Sequence, residues 1–435
     1  MNLHAIIKKP FLLIAICLMV AFSVIKVAAP QAQEMMVSNV EIKTKLVDPN
    51  VTKAYKLNQQ KLQEALTAYF QKAIASGDIV GAGVSIVKED SILIAEGFGK
   101  RSFTLNKTVN SETVFRLGSL SKGFAGVLAA KLKNEGFFNW TDKVNSYVSD
   151  FKLGDSTNTN NITLAHILSQ TSGAPYHSYT NLVEAGLSLS EIAKRFKTLK
   201  PVGKPGEIYS YQNAMFALSG EIMEMATNKD IRTLLNDNFF KPLGMTGVSM
   251  DYNSLESSDN IALPHSKSRY GWRPLKLNHN YYNAIAAGGI NASALDMAKW
   301  MQLLLGHRSE IIDYSVLNEA FSPSVKVKEH NKYYQRWPGH LSSYYGFGWR
   351  IHKFKEKSTL KTMVHHGGSV NSYRNEIAVY PDDDLGICVL LNSNSKISQT
   401  VIPDLYKIVN DIFVNDIEDA ANPKKQITSV RDEVL

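Results

Sequence analysis

The sequence predicts an α/β chain, an antiparallel sheet flanked by helices that carries a mostly helical inserted subdomain. Three observations predict it. Strand-like runs cluster toward the two ends of the chain, helix-spaced apolar runs fill the stretch from Ser121 to about Leu305, and no internal repeat occurs. The 435 residues are 44% hydrophobic and 20% charged. That is ample apolar material for a large core, and it excludes a disordered or collagen-like chain.

Taken in order, the first element is an address. Lys8 and Lys9 precede an apolar run from Phe11 to about Ile25 that ends in the small-residue stretch Val27–Ala32. This is the pattern of a signal peptide over residues 1–32, and the run is short for a membrane span, which takes about 20 apolar residues. The expected location is exported and periplasmic. The alternative is an uncleaved segment that anchors the protein to the membrane, facing the periplasm. Without residues 1–32 the chain keeps 45 basic and 40 acidic side chains, a net charge of +5. The charge is spread out, with no basic block of the kind that binds nucleic acid, so no nucleic-acid partner is expected. Cys17 lies in the apolar run and Cys388 in a strand-like one, so the mature chain has no cysteine pair to join.

Residues 33–56 read as a linker or arm. From Leu57 to about Ser76, Leu62, Leu66, Phe70 and Ile74 recur at helical spacing. Gly83–Val87 and Ile92–Ala95 then form a predicted hairpin around the turn Lys88-Glu89-Asp90. Helical patterns follow at Gly123–Leu132, Leu164–Ser169, Ala214–Met225 and Leu295–Leu305, with turn-rich stretches at Gly154–Asn161 and Asn253–Asn260. Strands return at Gly348–His352, Thr362–His365, Arg374–Tyr380 and Leu385–Leu391, before a final helix over Thr400–Phe413. The expected domain spans 57–415, with its sheet drawn from 57–118 and 345–415 and its helical region from 119–344. A polar tail occupies 416–435.

Three motifs can carry chemistry. Ser-x-x-Lys occurs six times, and only at Ser119–Lys122 does an extended segment turn into a helix. Three residues apart on a helix, the two side chains share a face, so the lysine reaches the hydroxyl. A serine hydroxyl is a weak nucleophile until a neighbouring base takes its proton. The plain alternative is a serine cap beside a solvated lysine. The second motif is Tyr211-Gln212-Asn213, which follows Pro205-Gly206 and leads into a helix. Its phenol can relay a proton and its amide can hold a substrate amide. The alternative is a packed tyrosine and a helix cap. The third is His365-His366-Gly367-Gly368-Ser369, which ends a predicted strand and turns toward the next. Glycines there let a substrate approach backbone N–H groups that stabilise an oxyanion. A zinc site is the alternative for the two histidines, but no ligand spacing accompanies them, so neither metal nor other cofactor is expected.

In this order the motifs resemble the serine β-lactamase and penicillin-binding-protein superfamily, and more closely its class C β-lactamase-like branch with related DD-peptidases and esterases. The similarity runs from about Leu57 to Phe413. It includes Ile162–Gly173, Pro242-Leu243-Gly244-Met245, Gly288-Gly289-Ile290 and Tyr345-Gly346-Phe347-Gly348-Trp349. Ser258-Asp259-Asn260 copies a class A motif but lies in a turn-rich stretch and reads as a turn.

The resemblance implies a β-lactamase/transpeptidase-like fold and a serine hydrolase of β-lactamase, DD-peptidase or esterase type. Its acyl-enzyme forms on Ser119, and its substrate is a small molecule, a peptidoglycan peptide or an ester. It implies that Lys122 and Tyr211 share proton transfer, without saying which is the base, and that Asn213 binds the substrate amide. His366, Gly367, Gly368 and Ser369 line the substrate site, with the N–H groups of Ser119 and Ser369 as oxyanion donors. His366 stands where relatives carry lysine, which leaves the substrate carboxylate to another cation, for which Arg374 is the candidate. Gln170 replaces the usual histidine of the Thr-Ser-Gly segment and is expected to be structural. A carboxylesterase, or a weakly catalytic penicillin-recognising scaffold, is the alternative function.

Overall fold

The computed structural model describes residues 49–328 and 332–413. The expectations for the signal, for most of the arm and for the tail fall outside them. By compactness the chain divides after Ala54, and the sheet with its packed helices belongs to the unit that starts at Tyr55.

Helix α1 (Pro49–Ala75) begins before the predicted Leu57 and leads into the hairpin β1 (Gly81–Lys88) and β2 (Ser91–Gly99). After β3 (Val114–Arg116) come α2 (Ser121–Asn134) and α3 (Asn213–Thr227), the small hairpin β4 (His265–Ser268) and β5 (Gly271–Pro274), then β6 (Asn291–Ser293) and α4 (Ala294–Leu304). The chain returns through β7 (Val325–Lys326), β8 (His340–Tyr345), β9 (Arg350–Glu356), β10 (Thr359–Val370), β11 (Tyr373–Tyr380), β12 (Leu385–Leu391) and α5 (Val401–Phe413). Eight strands form one antiparallel sheet in the order β2-β1-β12-β11-β10-β9-β8-β7. Both chain ends therefore build one sheet, as the strand patterns predict.

Alternation along the strands divides the core into two layers. Ala378 and Tyr380 of β11 and Ile387 and Val389 of β12 pack with Leu66, Phe70, Leu405 and Val409 of the terminal helices. Ile377, Val379, Cys388 and Leu390 face the helical region, where α2 and α4 bury Phe124, Leu128 and Trp300. Strand β12, covered on both faces, reads as an uninterrupted apolar run for that reason. Helix α2 lies close against the segment before β9. A side chain at Gly126 would begin 1.9 Å from the Phe347 carbonyl oxygen, so only glycine permits the contact.

Three predicted boundaries move. The stretch His365–Ser369 does not turn; it stays in β10, and the turn falls at Asn371 and Ser372, both with positive φ. The sheet also extends to β7 and β8, inside the region 119–344 that the sequence assigns to helices. Short helices Ser156–Asn161 and Tyr252–Glu256 replace two predicted turn stretches. Asp155 and Asp251 cap them through the backbone N–H groups of Asn158 and Ser254. The first is wholly polar, so apolar periodicity does not reveal it.

Candidate active site

Ser119 lies in the 3-10 turn Gly118–Leu120 that feeds α2. Gly118 has φ +57°, and a side chain there would begin 2.9 Å from backbone atoms of Ser369. The turn and β10 thus meet backbone to backbone. Gly368 adds to the contact, since a side chain there would begin 2.2 Å from the Leu117 carbonyl oxygen. The Ser119 turn and the exposed Ser369 edge of β10 stand beside each other, the arrangement two oxyanion donors require.

Lys122 is fully buried in α2. Its Nζ donates to Asn213 Oδ1 at 2.7 Å and to the Ala287 carbonyl at 2.7 Å, and lies 3.4 Å from Ser119 Oγ. Burial, and then the charge of Arg350, hold its pKa well below the ordinary lysine range. The neutral amine has two hydrogens and one lone pair. With both hydrogens given to carbonyl oxygens, the lone pair is left for the Ser119 hydroxyl proton.

Tyr211 packs with Val327 and Tyr345, and the Lys122 ammonium position lies 4.9 Å from its ring centre. Burial raises its pKa to about 12, against the lowering effects of Arg350 and of a hydrogen bond with Ser119. At neutral pH it is a phenol, able to pass a proton but not to begin by taking one. Asn213, the first residue of α3, has its amide oriented by two partners: Oδ1 accepts from Lys122, and Nδ2 donates to the Tyr281 hydroxyl at 3.0 Å. Gln170 holds the loop before it. Its side-chain oxygen accepts from Gln212 N at 2.6 Å and its backbone oxygen from Ser210 N at 2.8 Å.

The pleat of β10 separates the two histidines. His366 faces Tyr211, their ring centres 6.2 Å apart. Its Nδ1–H donates to the Gly367 carbonyl at 2.8 Å, so its Nε2 accepts from the Tyr345 hydroxyl at 3.0 Å. Burial, then Arg350 and Lys122, depress its pKa well below the usual range, so the ring is neutral. His365 faces the other layer, where Nε2 meets Glu376 at 2.8 Å and Nδ1 accepts from His352 Nε2 at 3.2 Å. Its pKa too lies well below the usual range, through burial and then Arg350, so this contact is a hydrogen bond to a neutral ring rather than an ion pair. Facing opposite ways, the two rings do not share a ligand, and among the described residues no group of three His, Cys, Asp or Glu is arranged to hold a metal ion.

The structure thus brings Ser119, Lys122, Tyr211, Asn213, His366, Gly368 and Ser369 together. It does not bring Arg374 with them. Arg374 lies on β11 rather than on the His366 strand, paired across from Ser369, and projects to the Glu376 face. There its Nε donates to Ser398 Oγ at 3.3 Å and stands 3.7 Å from Glu376. Gly367 also faces that layer, against Tyr333 and Glu376.

The cation on the Tyr211 side is Arg350, at the start of β9. Its guanidinium carbon lies 5.7 Å from the ring centre of Tyr211, 5.4 Å from that of Tyr334 and 5.9 Å from that of Tyr345. Among the described residues, its Nε and Nη1 have no hydrogen-bond partner, and both are buried. Burial opposes its charge, but Tyr209, Tyr334, Tyr333 and Tyr345 outweigh burial and hold its pKa above the ordinary arginine value. A buried guanidinium with two unused donors is built to receive an anion. In the sequence Arg350 directly follows the Tyr345–Trp349 stretch, but the rings that surround it come from other elements. Glu376 of β11 escapes sequence reasoning altogether, since its partners His365 and Tyr333 come from other elements.

The chain is similar to known proteins over most of its length. The family model described as Beta-lactamase matches residues 66–406. Protein flp of Staphylococcus aureus (strain MRSA252) is 24% identical over 361 residues, covering 81% of this chain and 66% of that protein. The chain therefore spans about two thirds of that relative's length. A protein of Aspergillus campestris named unguisins hydrolase ungD' is 25% identical over 304 residues, 67% of this chain and 54% of that protein. The octameric penicillin-binding protein homologue from Pyrococcus abyssi shares the fold, with a TM-score of 0.67 and 24% identity over 79% of this chain and 77% of that one.

Proposed function

The chain belongs to the Beta-lactamase family, and on that premise we propose that it is an exported serine hydrolase. It works through a Ser119 acyl-enzyme on an amide or ester whose leaving group bears a carboxylate. The observation that carries the reading is Lys122, a buried amine with both neutral-state hydrogens engaged and its free lone pair toward Ser119. A relative named as a hydrolase supports the same class.

Ser119 Oγ attacks the carbonyl carbon while its proton passes to Lys122 Nζ. The oxyanion is held by the N–H groups of Ser119 and Ser369, each such donor contributing about 2.7–4 kcal/mol. As the tetrahedral centre collapses, the leaving group departs with a proton that Lys122 returns through the Tyr211 hydroxyl. Water then attacks the acyl-enzyme, giving its proton to the same base, and the acid leaves with Ser119 restored. Asn213 orients Lys122 and the substrate amide, and Arg350 rather than Arg374 takes the carboxylate.

The test is to incubate the protein with a fluorescent penicillin and with a chromogenic ester, reading intact mass and turnover, with Ser119→Ala as control. A stoichiometric adduct absent from the control is expected. No adduct and no turnover on either compound would sink the proposal. The neutral His366 favours a second reading, an esterase of the same fold. Turnover of the ester without any penicillin adduct would select it. Export is read from the N-terminal residue of the protein recovered from the cell envelope, which lies near residue 33 if the segment 1–32 is removed.

A further inference from the structure

We infer that Tyr281 is a positioning residue for the Lys122 base: with Glu184 behind its hydroxyl, it holds the Asn213 amide with the oxygen, and not the NH2 group, toward the lysine. The role rests on the reading of the preceding subsection and names what keeps its base competent.

Tyr281 is buried, and its backbone holds φ +70°, a conformation that a bulky side chain adopts only under strain. Its neighbours are built around it. A side chain at Gly288 would begin 2.8 Å from the Tyr281 ring, and one at Gly289 would begin 2.6 Å from the Tyr281 carbonyl oxygen. That oxygen accepts from Ala284 N at 2.9 Å and opens the turn that leads to Ala287. The ring therefore lies against the residue that follows Ala287, whose carbonyl is one of the two oxygens on Lys122 Nζ. The other oxygen belongs to Asn213, and the Tyr281 hydroxyl accepts from Nδ2 of that same amide at 3.0 Å. One strained side chain thus touches both supports of the base. Strain of this kind persists where the surrounding structure over-determines it, and functional sites are where it gathers.

Shape alone does not orient an amide, because a half-turn of the side chain exchanges its oxygen with its NH2 group. An ammonium has only hydrogens to offer and pairs only with the oxygen. Neutral Lys122 pairs with either. With the NH2 group turned toward it, the lone pair of the amine is taken by the amide and is lost to the Ser119 proton. The Tyr281 hydroxyl also serves either arrangement, as acceptor from the NH2 group or as donor to the oxygen. Glu184, at the end of the short helix Thr180–Glu184, decides between them. A carboxylate only accepts, and its Oε1 stands 3.5 Å from the Tyr281 hydroxyl. The hydroxyl hydrogen goes to Glu184, the hydroxyl oxygen is left for Asn213 Nδ2, and Asn213 Oδ1 is left for Lys122. The second hydrogen on Nδ2 stays available to a substrate carbonyl.

The flipped amide pairs with the neutral lysine alone, so losing Tyr281 has a signature in pH. Neutral enzyme with a flipped amide is inactive, which lowers the alkaline plateau of kcat/KM. The flip also stabilises the neutral amine, so Lys122 gives up its proton at lower pH. Linkage ties the two effects together. A plateau lowered about tenfold accompanies an acid shift of about one pH unit, and on the acid limb variant and parent rates coincide.

The test compares the full-length parent with Tyr281→Phe and Glu184→Gln. It follows kcat/KM on a chromogenic ester across the pH range, and the Lys122 titration by carbon NMR of protein labelled at lysine Cε, the signal being assigned by its loss in Lys122→Met. Tyr281→Phe is expected to lower the plateau about tenfold and to move both the rate limb and the lysine titration about one unit toward acid. Glu184→Gln, whose amide donates as well as accepts, is expected to move them the same way by less. Glu184 is exposed, so this variant decides the matter if Tyr281→Phe does not melt as the parent does. A rate loss uniform across pH, or a Lys122 titration that stays in place or moves toward alkali in a folded variant, would overturn the inference. Failure of the hydrolase reading shows separately, as a missing adduct in the parent, and the lysine titration reads the role of Tyr281 in either case.

Discussion

Lys122 illustrates how a single side chain acquires chemistry from what surrounds it. In water a lysine is charged and cannot take a proton. Buried in α2 beside Arg350, its charged form is disfavoured, and the carbonyl oxygens of Asn213 and Ala287 orient the neutral form. Asn213→Asp tests this. A carboxylate 2.7 Å from Nζ stabilises the ammonium and raises the lysine pKa. We expect kcat/KM on a chromogenic ester to fall by about 10²–10⁴ at pH 7, the usual worth of a general base. The alkaline rise of the rate should move to higher pH, and an unmoved profile would remove Lys122 from the role. Arg350→Gln addresses the anion. Loss of a charge-assisted hydrogen bond, worth about 1.5–3 kcal/mol, corresponds to a KM roughly 10- to 100-fold higher on carboxylate-bearing substrates. Paired assays with and without the carboxylate check it: a neutral ester should change little, and equal losses on both would assign Arg350 to packing. Ser119, Lys122, Tyr211 and Asn213 were legible from the sequence because helix spacing and a loop-to-helix turn are local. Arg350 was not, because its meaning comes from Tyr211, Tyr334 and Tyr345, which different elements bring to it.

At the scale of elements, the site depends on the contact between the Ser119 turn and β10. Gly-Gly-Ser reads locally as a turn, and the strand pattern before it reads as finished. The strand continues because Gly367 and Gly368 are demanded by what lies over them, Tyr333 on one face and Leu117 on the other. The strands toward the two chain ends were legible, but β7 at the sheet edge and β8 beside it were not, being short and partly exposed. Gly118→Ala tests the contact between turn and strand. The substitution places a methyl group 2.9 Å from Ser369 backbone atoms and asks a non-glycine residue to hold φ +57°. Strain of this kind costs about 1–3 kcal/mol, and relief moves Ser119 away from the oxyanion donors. Denaturant unfolding and the rate of acyl-adduct formation should both fall in Gly118→Ala. A variant with native stability and native acylation would show that the close approach is not required.

Across the whole molecule, the sheet buries a chain of titratable groups that ties stability to pH. His340 Nε2 meets Ser343 Oγ at 2.7 Å, Ser343 meets His352 Nδ1 at 2.8 Å, and His352 continues through His365 to Glu376. His352, His365 and His366 are fully buried, and burial depresses all three pKa values well below the ordinary value. In the unfolded chain they titrate near 6.5. A depressed pKa contributes stability above the unfolded value that is lost as pH falls, because the unfolded chain then binds protons the folded one refuses. Glu376 acts with the opposite sign. Burial raises its pKa to about 7, so the folded chain keeps a proton that the unfolded chain releases near 4.5, and its stabilising effect is lost as pH rises through 7. Below about pH 6.5 the three histidines of the unfolded chain take up protons that the folded rings refuse, and Glu376 offsets part of that uptake, so stability should fall as the pH drops from 7 to 5. Urea unfolding at half-unit steps from pH 5 to 7 measures the slope. In Glu376→Gln the opposing proton is gone, and the fall in stability toward acid pH should be steeper than in the native chain. A native chain as stable at pH 5 as at pH 7, or a variant slope no steeper than the native one, would show that the buried histidines take up protons without unfolding. The two layers packed on this sheet would then be loose enough to admit water to its centre.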